Sequence, residues 1–158
     1  MTQIEIRLAD ARDAAWIQAI LAEVFAEYRA SYTDGGFDAT VLSGAEIGQR
    51  MGEGPVWVAT LDGTIVGTVA AVSKSDDLYI RGMAIVPKGR GHKIGQRLLG
   101  EIEKYARANG HRRLTLSTTP LLHRAIRLYE SAGFLRTEEG DHELFGTPLF
   151  TMEKNLYS

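Results

Sequence analysis

Arg90-Gly91-His92-Lys93-Ile94-Gly95 is a run of cations and glycines between a strand-like segment ending at Ile85-Val86-Pro87 and an amphipathic run that begins near Gly95. Strand, glycine-punctuated basic turn and helix, in that order, place unpaired backbone N–H groups at the positive end of a helix dipole, which is a site for phosphate. Arg90, Lys93 and Arg97 add charge that opposes the dipole unless an anion offsets both. A P-loop needs G-x-x-x-x-G-K followed by Ser or Thr, and that order is missing. A dinucleotide fingerprint needs G-x-G-x-x-G, whereas Gly89, Gly91 and Gly95 are one residue too widely spaced and no acidic residue closes a second strand about 20 positions on. The residues point to a phosphate-bearing cofactor held by a turn of another design.

The run from Met83 to Leu99 resembles the acyl-CoA-binding segment of the GCN5-related N-acetyltransferase (GNAT) family, Q/R-x-x-G-x-G/A, with Arg90 and Gly95 at its first and last positions and Lys93 where a middle glycine is expected. Further on, Ala125-Ile126-Arg127-Leu128-Tyr129-Glu130-Ser131-Ala132-Gly133-Phe134 resembles the family's A-x-x-L-Y-x-x-x-G-F segment in full. The resemblance implies an N-acetyltransferase that binds acetyl-CoA as co-substrate and passes the acetyl group to a primary amine by direct attack in a ternary complex. It also implies a cofactor set of Met83, Ala84, Ile85, Arg90, Gly91, His92, Lys93, Ile94, Gly95, Gln96 and Ala125. Main-chain groups of Met83 to Ile85 would pair with the pantetheine arm as with a neighbouring strand, and Gly82 would open that strand edge or mark a plain bulge. A non-catalytic acyl-CoA sensor on the same fold is the alternative from another class.

Such a reaction needs a proton donor for the leaving thiolate and a neutral amine. Helical spacing alone makes Tyr129 an ordinary core aromatic; the resemblance assigns it as general acid, and a phenol near ~10 is able to protonate a thiolate whose thiol has a pKa near ~8.5. A lysine-like amine is neutral in about one molecule in ~2,500 at pH 7, a penalty near ~4.6 kcal/mol unless a base or desolvation helps. Many family members carry a glutamate on the strand before the phosphate turn, but Tyr79, Ile80 and Arg81 stand there. Asp76, Asp77, Glu23 and His123 are the remaining candidates for a base, and Ser117 and Thr118 for the wall of an acceptor pocket. Leu122 stands where many relatives carry an asparagine. The acidic tract Glu138 to Glu143 would draw a cationic amine to the pocket mouth or simply be a solvated hairpin.

The elements that position these residues follow from patterning. Ile4, Ile6 and Leu8 alternate as a strand, and Asp10 caps a helix with Ala14, Ile17, Leu21, Val24, Phe25 and Tyr28 on one face. A turn-like stretch from Ser31 to Gly36 precedes a less regular helix from Asp38 to Met51. Val56–Thr60 and Thr64–Val72 flank Asp62-Gly63, a strong hairpin signal, and Leu78–Val86 continues the meander. A helix from Gly95 to Asn109 stops at Gly110. A strand Arg113–Ser117 then leads to a helix capped at Thr119-Pro120 that ends near Gly133, and strands Phe134–Thr137 and Leu149–Lys154 close the chain. These elements predict one α/β (α+β) domain over residues 1–158, a mixed, mostly antiparallel sheet of about seven strands with about four helices on its faces.

Composition sets the limits. The 158 residues suffice for one sizeable core, and a net charge of −2 argues against a nucleic-acid protein. No stretch approaches the ~18 apolar residues of a membrane span. With no cysteine there is no disulfide or thiolate chemistry, and the 4 histidines show no metal-ligand spacing. The expected setting is therefore cytoplasmic, with a small-molecule or peptide amine as acceptor, no membrane, metal or nucleic-acid partner, and a homodimer through the C-terminal strands as the family-based expectation.

Overall fold

The computed structural model describes residues 2–137 and 142–157. Eight strands and five α-helices form among them. The strands are β1 (Ile4–Leu8), β2 (Val56–Leu61), β3 (Thr64–Lys74), β4 (Asp77–Ile85), β5 (Arg113–Thr118), β6 (Leu135–Arg136), β7 (His142–Leu144) and β8 (Thr147–Asn155). The helices are α1 (Ala14–Ala26), α2 (Asp34–Thr40), α3 (Gly44–Glu53), α4 (Ile94–Ala108) and α5 (His123–Ser131). The sheet runs β1-β2-β3-β4-β5-β8-β6, with β7 on β8. Every pairing is antiparallel except β4 with β5, where α4 supplies the crossover that a parallel pair requires.

Val56 to Thr60 are all buried, although successive strand residues point to opposite faces, so both faces of the sheet are covered. Helices α1 and α3 pack together, with α1 on β3 and β4, while α4 lies across β1 to β5. On α4, Leu98, Ile102 and Ala106 are fully buried, and Tyr105 meets the Trp57 ring edge-on at 5.6 Å.

Two features of β4 open the sheet. Its parallel ladder to β5 ends at Ile80↔Leu116, although β4 continues to Ile85 and β5 to Thr118. On its other edge, Thr68 faces Ala84 and Ala70 faces Arg81, so β4 carries one extra residue there. Gly82 sits in that bulge at φ +67°, a conformation costly for any side chain with a Cβ.

Several boundaries depart from the sequence reading. The single helix expected from Asp38 to Met51 is two, because Thr33 caps α2 through Gly36 N–H (3.0 Å) and Ser43 and Glu46 form a reciprocal capping box on α3 (3.2 and 3.0 Å). Thr119-Pro120 does not cap α5. The Thr119 carbonyl instead accepts from Leu122 N–H (3.1 Å) to close a turn, and the helix begins at His123. Strand β7 joins β8 through Phe145-Gly146, both at positive φ, as a two-residue hairpin loop. The sequence reading missed that strand. Glu138 to Asp141, most of the acidic tract, lie outside the described residues.

Candidate active site

The basic turn delivers its donors to one place. Lys93 precedes α4 with φ +59° and ψ +29°, which is why a glycine suits this position, and its side chain makes no cap. Hydrogen bonding into the helix begins with Arg97 N–H to the Lys93 carbonyl (3.1 Å), so the N–H groups of Ile94, Gly95 and Gln96 have no helical partner. They border a cavity of ≈ 530 Å³, whose wall is completed by Arg90, Gly91 and Lys93 and, from α5, Arg124 and Arg127. Among the described residues no acidic side chain lines it. Gly95 lets the two helices approach, since a Cβ there would stand 2.6 Å from Leu128 Cδ2.

Sequence reasoning missed Arg124 and Arg127. Their i, i+3 spacing puts both on one face of α5, but only packing against α4 turns that face toward the basic turn. Arg97 goes elsewhere, donating to the Ile4 carbonyl on β1 at 3.3 Å. His92 lies within the turn but does not line the cavity.

A narrow slot of ≈ 130 Å³ continues from this cavity, walled by Met83, Ala84 and Ile85 of β4, Ala125 and Tyr129 of α5, and residues of α1. Ile85, Arg90 and Arg124 border both spaces. Beyond it lies a third cavity of ≈ 270 Å³ in the gap between β4 and β5, which shares Phe25, Met83, Leu122 and Tyr129 with the slot. The three spaces adjoin, each sharing wall residues with the next, and Tyr129 lines both the slot and the innermost one.

The Tyr129 ring is buried, 5.9 Å from Phe134, and its hydroxyl makes no hydrogen bond among the described residues. Burial first, and then the nearby Tyr79, raises its pKa well above the usual phenol range, so it is a neutral donor at pH 7. The innermost cavity has a polar floor of Arg50, Tyr79, Arg81, Ser117, Thr118 and Thr119, with no Asp or Glu in its wall among the described residues. Burial, and then the neighbouring Arg81, pushes the Arg50 guanidinium down to about 10. Two buried polar atoms, Arg81 Nε and Thr118 Oγ1, have no hydrogen-bond partner.

Ser117 and Thr118 thus line this cavity, as the sequence suggested, while the four candidate bases do not. Asp77 accepts from Arg113 Nε (3.1 Å) and Nη2 (2.8 Å), and it borders a separate depression together with Asp76. Glu23 and His123 are exposed. Arg50 escaped the sequence reading altogether, because nothing in α3 announces that its last turn faces β4.

Comparison with known proteins places this geometry. A zebrafish (Danio rerio) protein named N-acetylaspartate synthetase is 37% identical over 104 residues, 64% of this chain and 37% of that protein. The human protein of the same name is 30% identical over 103 residues, 64% of this chain and 34% of its own length. The chain spans little more than a third of these curated relatives. The PaiA N-acetyltransferase of Thermoplasma acidophilum, solved in complex with coenzyme A, superposes with a TM-score of 0.82 at 20% identity over 97% of this chain and 99% of that one. The acetyltransferase (GNAT) family model matches residues 17–134, well over half of the sequence. The chain belongs to the GNAT family of acetyltransferases.

Proposed function

We propose that the chain is an acetyl-CoA-dependent N-acetyltransferase that passes an acetyl group to the primary amine of a small molecule or peptide. One observation carries the reading: a basic, N–H-rich cavity at the start of α4 adjoins an apolar slot that adjoins a second cavity, and Tyr129 lines both the slot and that second cavity. The first cavity suits a pyrophosphate. Its donors are unpaired, its side chains Arg90, Lys93, Arg124 and Arg127 are cationic, and among the described residues it carries no acid to repel an anion. The slot suits a thin apolar arm, and β4 offers an edge there that β5 has left unpaired from Arg81 onward.

Within the third cavity an amine would attack the thioester carbonyl, the C–S bond would break as the tetrahedral intermediate collapses, and Tyr129 would give its phenolic proton to the departing sulfur. The nitrogen loses a proton in the same sequence. Desolvation favours the neutral amine before attack; with no carboxylate among the described residues of the wall, water takes the proton that the nitrogen sheds afterwards, and water returns a proton to the Tyr129 phenolate. The name of the curated relatives makes amino acids the first acceptors to try.

A thermal-shift comparison of acetyl-CoA, CoA, ATP and NAD at matched concentrations tests the reading. CoA and acetyl-CoA at 100 times their dissociation constants are expected to stabilise the fold by about 2.7 kcal/mol, several degrees for a domain of this size, and acetyl-CoA should then be turned over with an amine. Stabilisation by ATP or NAD but not by CoA overturns it. Tight CoA binding with no turnover on any amine would favour the sensor.

A further inference from the structure

We propose that the acceptor carries a carboxylate as well as its amine, and that Arg50 and Arg81 hold that carboxylate in the cavity between β4 and β5. The inference rests on the acetyltransferase reading and names the acceptor class for it. Both guanidinium-bearing residues line the cavity, and among the described residues no acidic side chain shares its wall. Arg81 spends one nitrogen outside the cavity, with Nη2 donating to the exposed Glu53 at 2.7 Å, while its buried Nε has no partner. The Arg50 side chain makes no hydrogen bond among the described residues. Glu53 is hydrogen-bonded to Arg81, and Glu53 and Glu46 act on Arg50 only from beyond hydrogen-bond distance, so a positive charge is left partly out of water, which is costly unless an anion joins it.

The backbone is shaped around this charge. A Cβ on Gly82 would come within 2.9 Å of Arg50 Nη1, so the bulge that opens β4 also leaves the space in which the guanidinium lies. Across the gap, Thr118 of β5 also lines the cavity, and its buried hydroxyl has no partner among the described residues. A guanidinium fork, a second guanidinium N–H and a hydroxyl match the lone pairs of one carboxylate. A simple alkylammonium would meet two guanidinium groups with only Glu53 hydrogen-bonded to either of them, whereas an amino acid brings its own anion. The same charges favour the uncharged form of the incoming amine, which the reaction needs.

The test compares α-, β- and dicarboxylic amino acids with their own carboxamides as acceptors at saturating acetyl-CoA, together with Arg50→Met and Arg81→Gln. The acids should exceed the amides at least tenfold in kcat/KM. Arg50→Met should erase that preference chiefly through KM, with the CoA-induced thermal shift unchanged. Amides acetylated as well as acids, or a preference that survives both substitutions, overturns the carboxylate assignment and leaves the acetyltransferase reading standing. If neither series is acetylated, calorimetric titration of the CoA-saturated protein with the N-acetyl acids and N-acetyl amides decides: binding of the acids alone, lost in Arg50→Met, supports the clamp, and no selective binding overturns it.

Discussion

Tyr129 is buried and Arg50 half-buried beside one cavity, and loss of water acts on their charged forms with opposite effects on pKa. For Tyr129 it disfavours the phenolate, so the hydroxyl keeps its proton across the working pH range; the same shift makes it a weaker acid, and it can give the proton only as negative charge builds on the departing sulfur beside it. Tyr129→Phe is expected to lower kcat about 10²–10⁴-fold with CoA affinity nearly intact, measured by steady-state kinetics beside a CoA titration. A raised pKa also predicts that the pH–rate profile shows no alkaline loss at the ordinary phenol value, and a fall there would implicate a different group. For Arg50, burial disfavours the charged form that the side chain nevertheless keeps. Arg50→Met should therefore raise the melting temperature of the ligand-free protein by a few degrees, on the order of 1 kcal/mol, because it replaces an unpaired, desolvated charge with an apolar chain of similar length. A lower melting temperature would mean that the charge is satisfied in the fold.

At the scale of elements, the site exists because β4 changes partners along its length. Its first residues pair with β3 and β5; after Ile80 it keeps β3 and loses β5. Gly82 provides the bulge at that point, and Gly82→Ala should cost about 1–2 kcal/mol from the left-handed backbone alone. The added methyl would also displace Arg50, so the acceptor KM should rise while CoA affinity stays close to wild type. Chemical denaturation and kinetics on the one variant separate the two effects, and an unchanged KM would detach the bulge from acceptor binding. The α4–α5 approach at Gly95 does the corresponding work for the other cavity, since it brings Arg124 and Arg127 over the start of α4. The sequence reading found one wall of that cavity, because the basic turn is contiguous in the chain, and missed the other, because two arginines one turn apart on a polar helix face look like any solvated pair. It grouped Arg97 with the turn for the converse reason: charge and proximity in sequence are visible, but the direction in which a helical residue points around its axis depends on what the helix packs against.

For the molecule as a whole, ion pairs tie β1 to the start of α1 and β8 to α4. Arg7 of β1 holds Asp13 just before α1 through two hydrogen bonds (2.8 and 3.0 Å), and Lys154 of β8 (2.7 Å) and Arg107 (3.4 Å) meet Glu103 on α4. The Asp13 carboxyl is held below its ordinary value chiefly by the Arg7 hydrogen bonds, and that of Glu103 chiefly by Lys154. A depressed carboxylate stabilises the fold above its unfolded pKa, and the contribution is lost as pH falls through the lower folded value. Stability should accordingly be flat near neutrality and fall below about pH 4, and Asp13→Asn should shrink that acid-side loss by roughly 1 kcal/mol while lowering stability at pH 7. Urea denaturation at a series of pH values measures both, and an acid limb identical in the variant would exclude Asp13 from it.

What the sequence determined by itself was local and contiguous. The Asp62-Gly63 hairpin, the meander through β4, helices α1 and α4, and the strand–basic turn–helix order each rest on side-chain period, turn chemistry or the dipole of one helix, all of which act over a few residues. The resemblance of two segments named the family, since both motifs survive as short strings. The tertiary structure alone decided which residues share a cavity. Arg50 from α3, Arg81 from β4 and Thr118 from β5 are 31 and 37 residues apart along the chain, and they meet because the sheet splits beyond Ile80 and α3 packs beside α1. Burial, unpaired charge and orphaned donors belong to that meeting of segments, so no window of sequence contains them, and it is from them that the chemistry of the acceptor is inferred.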